Sequence, residues 1–317
     1  MLSRVADSLF WMSRYLERTE HTARVIGVGL TQILDQTPQA IAPRWRRLLA
    51  ALHVEPPGDS LNDPQIITRL LTTDATNPAS IIACMTLARE NARQVREQIS
   101  SEMWEHINQL YLNVRSTSIE QIWQDEPVEF YQMIKERLHL IQGITDATMN
   151  HGEGWHFIQV GRYLERIWAT TLLLEVFFRP YLTCNEGVID AIDWVALLKC
   201  CTAFEAYCKV YTADVQPARV AEFLLLNAES PRSIRFAADQ VQTSLDQIGQ
   251  FAGTRHAARA ERLAGRLRAQ LDYGQVDEII SQDLLLFLSQ IRQQCSAIHD
   301  AIYQAYISYP INQALPQ

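Results

Sequence analysis

The chain has 317 residues, 48% hydrophobic and 20% charged, with 36 acidic against 28 basic side chains and a net charge of −8. That is the composition of an ordinary globular protein, and the acidic balance argues against general nucleic-acid or anionic-membrane binding, both of which need a basic surplus. The six cysteines, Cys84, Cys184, Cys200, Cys201, Cys208 and Cys295, contain no Cys-x-x-Cys pair and read as reduced thiols of a cytoplasmic protein.

No segment alternates with period two, and glycine and proline fall between long helical patterns, so the expected fold class is all-α. The first helix is expected from Ser3 to Leu34, ahead of Thr37-Pro38. Val5, Leu9, Met12, Leu16, Ala23 and Ile26 share one face of it, and Arg14, Glu17, Arg18 and His21 share the opposite one. Its early charges, Arg4 and Asp7, are unlike a signal peptide. Pro43 opens a second helix around Trp45, Leu48, Leu49 and Leu52, with Arg44-Trp45-Arg46-Arg47 read as helix surface. A loop around Pro56-Pro57-Gly58 follows. Asp63-Pro64 begins a short helix through Leu71. Asn77-Pro78 starts another, with proline at the first helical position, and this one carries Ala88-Arg89-Glu90-Asn91-Ala92-Arg93. Trp104, Ile107, Leu110 and Tyr111 mark the next helix, and Val128 to Met149 precedes a break at His151-Gly152-Glu153-Gly154.

From Trp155 to Phe178 a long helix is apolar on nearly every side, which signals burial. Glu175, Arg179 and Pro180 interrupt its continuation to Cys184, too soon for a bilayer span. Trp194 with Leu197-Leu198, then Val220 to Leu226, then Ser230-Pro231-Arg232-Ser233-Ile234 follow. Helices from about Ala257 to Leu271 and from Val276 to Tyr306 close the chain before Pro310.

One pentapeptide occurs twice. Arg14-Tyr15-Leu16-Glu17-Arg18 returns as Arg162-Tyr163-Leu164-Glu165-Arg166. Trp45 with Leu48-Leu49 is answered by Trp194 with Leu197-Leu198, and Asn77-Pro78-Ala79-Ser80-Ile81 by Ser230-Pro231-Arg232-Ser233-Ile234. Preserved order points to an internal duplication: two helical halves, 1–151 and 152–317, sharing one core. The match fades after Ile234, and nothing near Ala237 restates Ala88 to Arg93.

Taken alone, the first copy reads as a solvated face with i,i+4 pairs such as Glu17–His21 and Glu20–Arg24. The apolar second copy implies instead that Arg162, Glu165 and Arg166 are buried and must be paired. If the copies pack together, four arginines meet two glutamates and leave a positive surplus. Two outcomes stay open. One is a closed Arg–Glu network that only fixes how the halves meet. The other is an anion or carboxylate pocket held by Arg14, Arg18, His21, Arg89 and Arg93, with Glu17 and Glu90 orienting the guanidiniums. Glu90 and Asn91, polar on a helix that otherwise looks inward, favour a pocket or partner surface. Past the pentapeptide the copies differ: Trp168, Ala169 and Leu172 stand where the first has Glu20, His21 and Arg24. The first copy is therefore the expected host of any ligand.

Other chemistry finds little frame. A di-iron carboxylate site wants Glu-x-x-His motifs on separate helices. Glu136-x-x-His139 and Glu153-x-x-His156 lie close in sequence, the second at a glycine-flanked break. There is no Gly-x-Ser-x-Gly elbow, and Gly27-Val28-Gly29 lies within a helix, so it is no phosphate-cradling loop. No metal or cofactor is expected.

The chain resembles the alpha-E family, bacterial helical proteins named for a Glu-Arg motif. The resemblance rests on Met1 through Arg18, on Ala88 to Arg93, on Gly152-Glu153-Gly154-Trp155, on Gly161 to Arg166 and on Ser230 to Ser233. It implies association with ATP-grasp-type ligases and transglutaminase-like peptidases in a system that makes or modifies peptide-like amide bonds, and it supplies no catalytic residue. The expected function is that of a non-enzymatic accessory protein binding an acidic peptide or amino acid through the Arg–Glu cluster. The alternative is an enzyme of the same pathway with Glu17, Glu20 and His21 as acid–base groups.

Overall fold

A computed structural model describes residues 1–33, 38–55, 58–183, 189–252 and 258–307, and among these residues no strand occurs. The α-helices in chain order are α1 (Ser3–Ile33), α2 (Pro38–Ala51), α3 (Pro64–Thr72), α4 (Ile81–Gln94), α5 (Ser101–Ser116), α6 (Ile119–Gln124) and α7 (Pro127–Thr148). They continue with α8 (Glu153–Thr183), α9 (Ala191–Cys200), α10 (Phe204–Tyr211), α11 (Pro217–Leu226), α12 (Ile234–Ala252), α13 (Ala258–Asp272) and α14 (Val276–Ile302). The expectations for Leu34, Pro56-Pro57, Cys184, Ala257 and Pro310 fall outside the described residues.

Short polar residues set several helix starts. Asp63 accepts from the Gln65 and Ile66 N–H groups ahead of α3, whose Pro64 loses no intrahelical bond. The helix expected from Asn77-Pro78 begins three residues later. Asn77 Oδ1 accepts the Ala79 N–H at 3.0 Å, the Ser80 N–H closes a turn onto the Asn77 carbonyl at 3.0 Å, and Ser80 Oγ then caps α4 through Ala83 N–H at 3.2 Å. Asparagine's own backbone-binding side chain builds the turn there and serine starts the helix. Ser233 repeats the device, donating its N–H to the Ser230 carbonyl and capping α12 through Phe236 N–H, each at 3.0 Å. Helix α2 starts at Pro38, leaving Pro43 inside it. In α14 the backbone leaves helical geometry at Asp283, whose carboxylate caps the following turn through Leu286 N–H.

Helices α1 and α8 form the centre, each 31 residues long. They run in the same direction: the Met1 amino group meets Glu153, Leu9 lies beside Gly154, Phe10 and Ser13 lie beside Gly161, and Glu17 meets Arg166. At Gly161 the approach is so close that a Cβ would collide with the Phe10 carbonyl oxygen and Ser13 Oγ, so only glycine fits. Helices α4 and α7 pack on α1 with α5 behind them, and α12 and α14 pack on α8 with α13 behind. Helix α2 lies against α8 and α9 against α1. The expected surface run Arg44-Trp45-Arg46-Arg47 is instead a junction. Trp45 is 1% exposed, and Arg44 and Arg47 reach Asp193 at the start of α9 at 3.1 and 3.0 Å. No described helix is long and apolar enough to cross a membrane.

Candidate functional site

The two pentapeptides face each other at the α1–α8 contact, and each glutamate takes its partners from the opposite helix. Arg166 donates from Nε and Nη2 to the two oxygens of Glu17 at 2.7 and 2.9 Å, a bidentate fork that fixes direction as well as charge. Arg14 and Arg18 donate from Nε to the two oxygens of Glu165 at 2.7 and 2.6 Å. Glu17 and Glu165 are buried, so the solvated-face reading of the first copy does not hold. Burial alone would raise both carboxyls. Arg166, Arg232 and Arg162 overcome it and hold Glu17 at about 2, while Arg14 and Arg18 pull Glu165 below the usual carboxylate range.

A second ring of charge extends this core on one side only. Arg232 donates from Nη1 to Glu17 at 3.1 Å and to Glu20 at 2.9 Å, and from Nη2 to Glu20 at 2.9 Å. Glu20 is also paired with Arg24 one turn along and lies 3.3 Å from His139 Nε2 on α7. Burial, reinforced by Arg232, lowers Arg24 to about 9 despite its glutamate partner. Arg162, buried as well, is left with a long contact to Gln159 at 3.3 Å. Three carboxylates, Glu17, Glu20 and Glu165, thus face the guanidiniums of Arg14, Arg18, Arg24, Arg162, Arg166 and Arg232.

His21 stands at the rim of this network. Its Nε2 is buried with no hydrogen-bond partner, and burial lowers it to about 4. Beside it lies a cavity of about 240 Å³ lined by Arg18, His53, Glu165 and Trp168 among others. Arg89, Glu90, Asn91 and Arg93 do not join the cluster. Arg89 donates to Asn108 at 2.7 Å and covers the Tyr111 ring, Arg93 pairs with Glu90 one turn back, and Asn91 donates to the Leu87 carbonyl. The registry of α4 on α1 buries Ala88 and Ala92 and leaves these polar groups on its outer side.

Three members were not foreseen as site residues: Arg232, Arg24 and His139. Arg232 sits in the Ser-Pro-Arg-Ser stretch, where the similar Asn77-Pro78-Ala79-Ser80 stretch has Ala79. An arginine present in one of two similar stretches and missing from the other is the signal that would have found it, as with Glu20, His21 and Arg24 after the first pentapeptide. The carboxylates of the two Glu-x-x-His motifs are engaged elsewhere, Glu136 with Gln132 and Glu153 with the Met1 amino group. Among the described residues no group of three His, Cys, Asp or Glu side chains is placed to hold a metal. The described cysteines are free thiols, and burial pushes Cys84, Cys201 and Cys295 up to about 12, so these three are not activated nucleophiles.

The fold and its core define an all-helical protein organised around buried Glu-Arg pairs. The chain belongs to the alpha-E family, described as a predicted alpha-helical domain with a conserved ER motif, which matches residues 1–307. It is also similar to uncharacterised proteins of Mycobacterium bovis and Mycobacterium tuberculosis, at 23% identity over 94% of this chain and 35% of theirs. It spans about a third of the length of those curated relatives. No solved structure matches it.

Proposed function

We propose that the chain is a non-enzymatic accessory protein of a system that makes or modifies peptide-like amide bonds, working in the cytoplasm beside an ATP-grasp-type ligase and a transglutaminase-like protein. The observation that carries the reading is the closure of the Arg–Glu core: Glu17 and Glu165 each take arginines from the opposite helix. A carboxyl held at about 2 and an imidazole held at about 4 are both deprotonated near neutral pH. Neither is poised to pass a proton there, which counts against Glu17 and His21 as acid–base groups. The core suits a lock that sets one registry between two halves, a use to which buried ion pairs are put.

We read the halves as pseudo-repeats, 1–151 and 152–317, joined as one alpha-E unit. The reciprocal Glu17–Arg166 and Glu165–Arg18 pairs support this, as do the matching serine caps at Ser80 and Ser233. Arg44 meeting Asp193, 149 residues on, places complementary charges at corresponding positions. In this reading Arg14, Glu17, Arg162, Glu165 and Arg166 are structural. An acidic peptide or amino acid would meet the network at Arg18 and His21, which open on the 240 Å³ cavity. The half-exposed face with Arg89, Glu90, Asn91 and Arg93 would be a partner surface.

The partners come from family resemblance. That mycobacterial relatives carry this region within a chain about three times as long fits a unit working alongside others. The test assays amide-bond formation by the ligase and transglutaminase-like protein of the same genome, with and without this chain. The expected result is no turnover by the chain alone and faster turnover when it joins its partners. Unaided turnover, or no effect on either partner, overturns the proposal.

A further inference from the structure

A groove of about 480 Å³ lies at the other end of the charged network, floored by α1 and walled by α7 and α9. That is the size of a small-ligand site. Its cationic groups come from three helices: Arg24 from α1, Lys135 from α7 and Lys199 from α9. Glu205 of α10 is the single carboxylate among its lining residues. Neither lysine has an ion-pair partner among the described residues, although Lys199 lies over the Phe204 ring at 5.8 Å. The apolar walls are Val28, Val128, Ile192 and Val195, of which Val128 and Ile192 stand exposed.

Unmet donors distinguish the groove from an ordinary surface dip. Arg24 is 6% exposed, yet its Nε is buried with no hydrogen-bond partner, and Gln32 Nε2, one further lining residue, is in the same state. Buried N–H donors are normally satisfied, and leaving a charged one unpaired is costly. Arg24 also belongs to the network in which six guanidiniums face three carboxylates, so the surplus positive charge reaches the groove through it. Glu205 apart, what is missing here is an acceptor with negative charge. The walls ask for an aliphatic body behind it.

We propose that this groove binds a carboxylate carried on an aliphatic body, as at the C-terminus of a peptide ending in leucine or valine. The carboxylate sits among Arg24, Lys135 and Gln32, and the aliphatic side chain lies against Ile192 and Val195. The site is separate from the Arg18–His21 cavity and does not rest on the accessory reading, since binding is measured on the purified chain with no partner present.

Calorimetric titration with N-acetyl-alanyl-leucine tests it against two controls, the same dipeptide as its C-terminal amide and N-acetyl-glycyl-glycine. The acid is expected to bind saturably, with both controls at least ~10-fold weaker, one lacking the charge and the other the aliphatic group. Arg24 is unsuited to substitution because it also holds Glu20. The two lysines lie outside the network, so the double variant Lys135→Gln/Lys199→Gln should keep the wild-type melting temperature while losing at least ~10-fold in affinity. Absence of saturable binding, equal binding of the amide, or wild-type affinity in a folded double variant overturns the proposal.

Discussion

Around α1 and around α8 the chain builds two similar neighbourhoods, and the residues they do not share are the instructive ones. Each long helix carries the same charged pentapeptide, each is flanked by a serine-capped helix, and each contributes one glutamate to the other's arginines. Beyond the pentapeptide the likeness stops. Helix α1 goes on with Glu20, His21 and Arg24, whereas α8 goes on with Trp168, Ala169 and Leu172; the stretch that resembles Ser230 to Ser233 has Ala79 where Arg232 stands. The shared charges close on one another and set registry. The unshared ones leave loose ends: an unpartnered His21 Nε2 and an unpartnered Arg24 Nε. Ligand chemistry is therefore to be sought on the α1 side.

The two glutamates should differ in worth, and replacing each with alanine tests this. Glu17→Ala strands Arg166, whose side chain is 7% exposed, takes one of two carboxylate partners from Arg232, which keeps Glu20, and leaves Arg162 without its main counter-charge. Removing one partner of a buried pair costs roughly 3–5 kcal/mol. Glu165→Ala strands Arg14 and Arg18, which are 13% and 30% exposed and lie over the Trp11 and Tyr15 rings. Water and the ring faces compensate part of that loss, so about half the cost is expected. Urea denaturation of both variants measures it, and equal costs would mean that the two sides are energetically alike.

Close approach of the two helices is the next point of attack. At Gly161 a methyl group would meet the Phe10 carbonyl, which as backbone cannot swing aside. Gly161→Ala should cost about 3 kcal/mol, the upper end for overpacking. Gly143, exposed within α7 with nothing near its missing Cβ, is the control. There alanine should stabilise by ~0.5–1 kcal/mol because the unfolded chain loses freedom. A neutral Gly161→Ala in the same denaturation series would show that α1 and α8 sit further apart than described.

Much of this arrangement was legible in the residues alone, because helical periodicity and the repeated pentapeptide both report on burial. An apolar surround at Phe157, Ile158, Val160 and Leu164 announced that Glu165 and Arg166 lie inside. Hidden from the sequence was everything set by registry between distant elements. The outward turn of Arg89 and Arg93 depends on which stripe of α4 meets α1, and Ala88 and Ala92 decide that by packing there. Arg232 enters the core from a turn 212 residues beyond Glu20, and no local pattern marks such a reach. The shift of α4 from Pro78 to Ile81 turned on Asn77 folding its side chain back onto the backbone, a competition between two good starts that tertiary packing resolves.

Acid sensitivity gives the smallest and finest comparison, since His21 on α1 has Ala169 in its place on α8. Its pKa is about 4 in the folded chain and about 6.5 unfolded. Below pH 6.5 the unfolded chain binds the proton first, so the stability His21 contributes is complete above 6.5 and drains as pH falls toward 4. Glu17, held at about 2, behaves the same way one step lower, its share draining from about pH 4.5 to 2. Burial also lowers His139, His156 and His299, so wild-type stability falls across the first window for several reasons at once. The His21 share is the difference between wild type and His21→Ala, which copies the α8 side. It should be about 2 kcal/mol at pH 5 relative to pH 7.5, read from denaturation midpoints at the two pH values. Parallel pH profiles for the two proteins would mean that the imidazole is protonated in place, with Glu17 and Glu165 outweighing Arg18 and Arg232 around it.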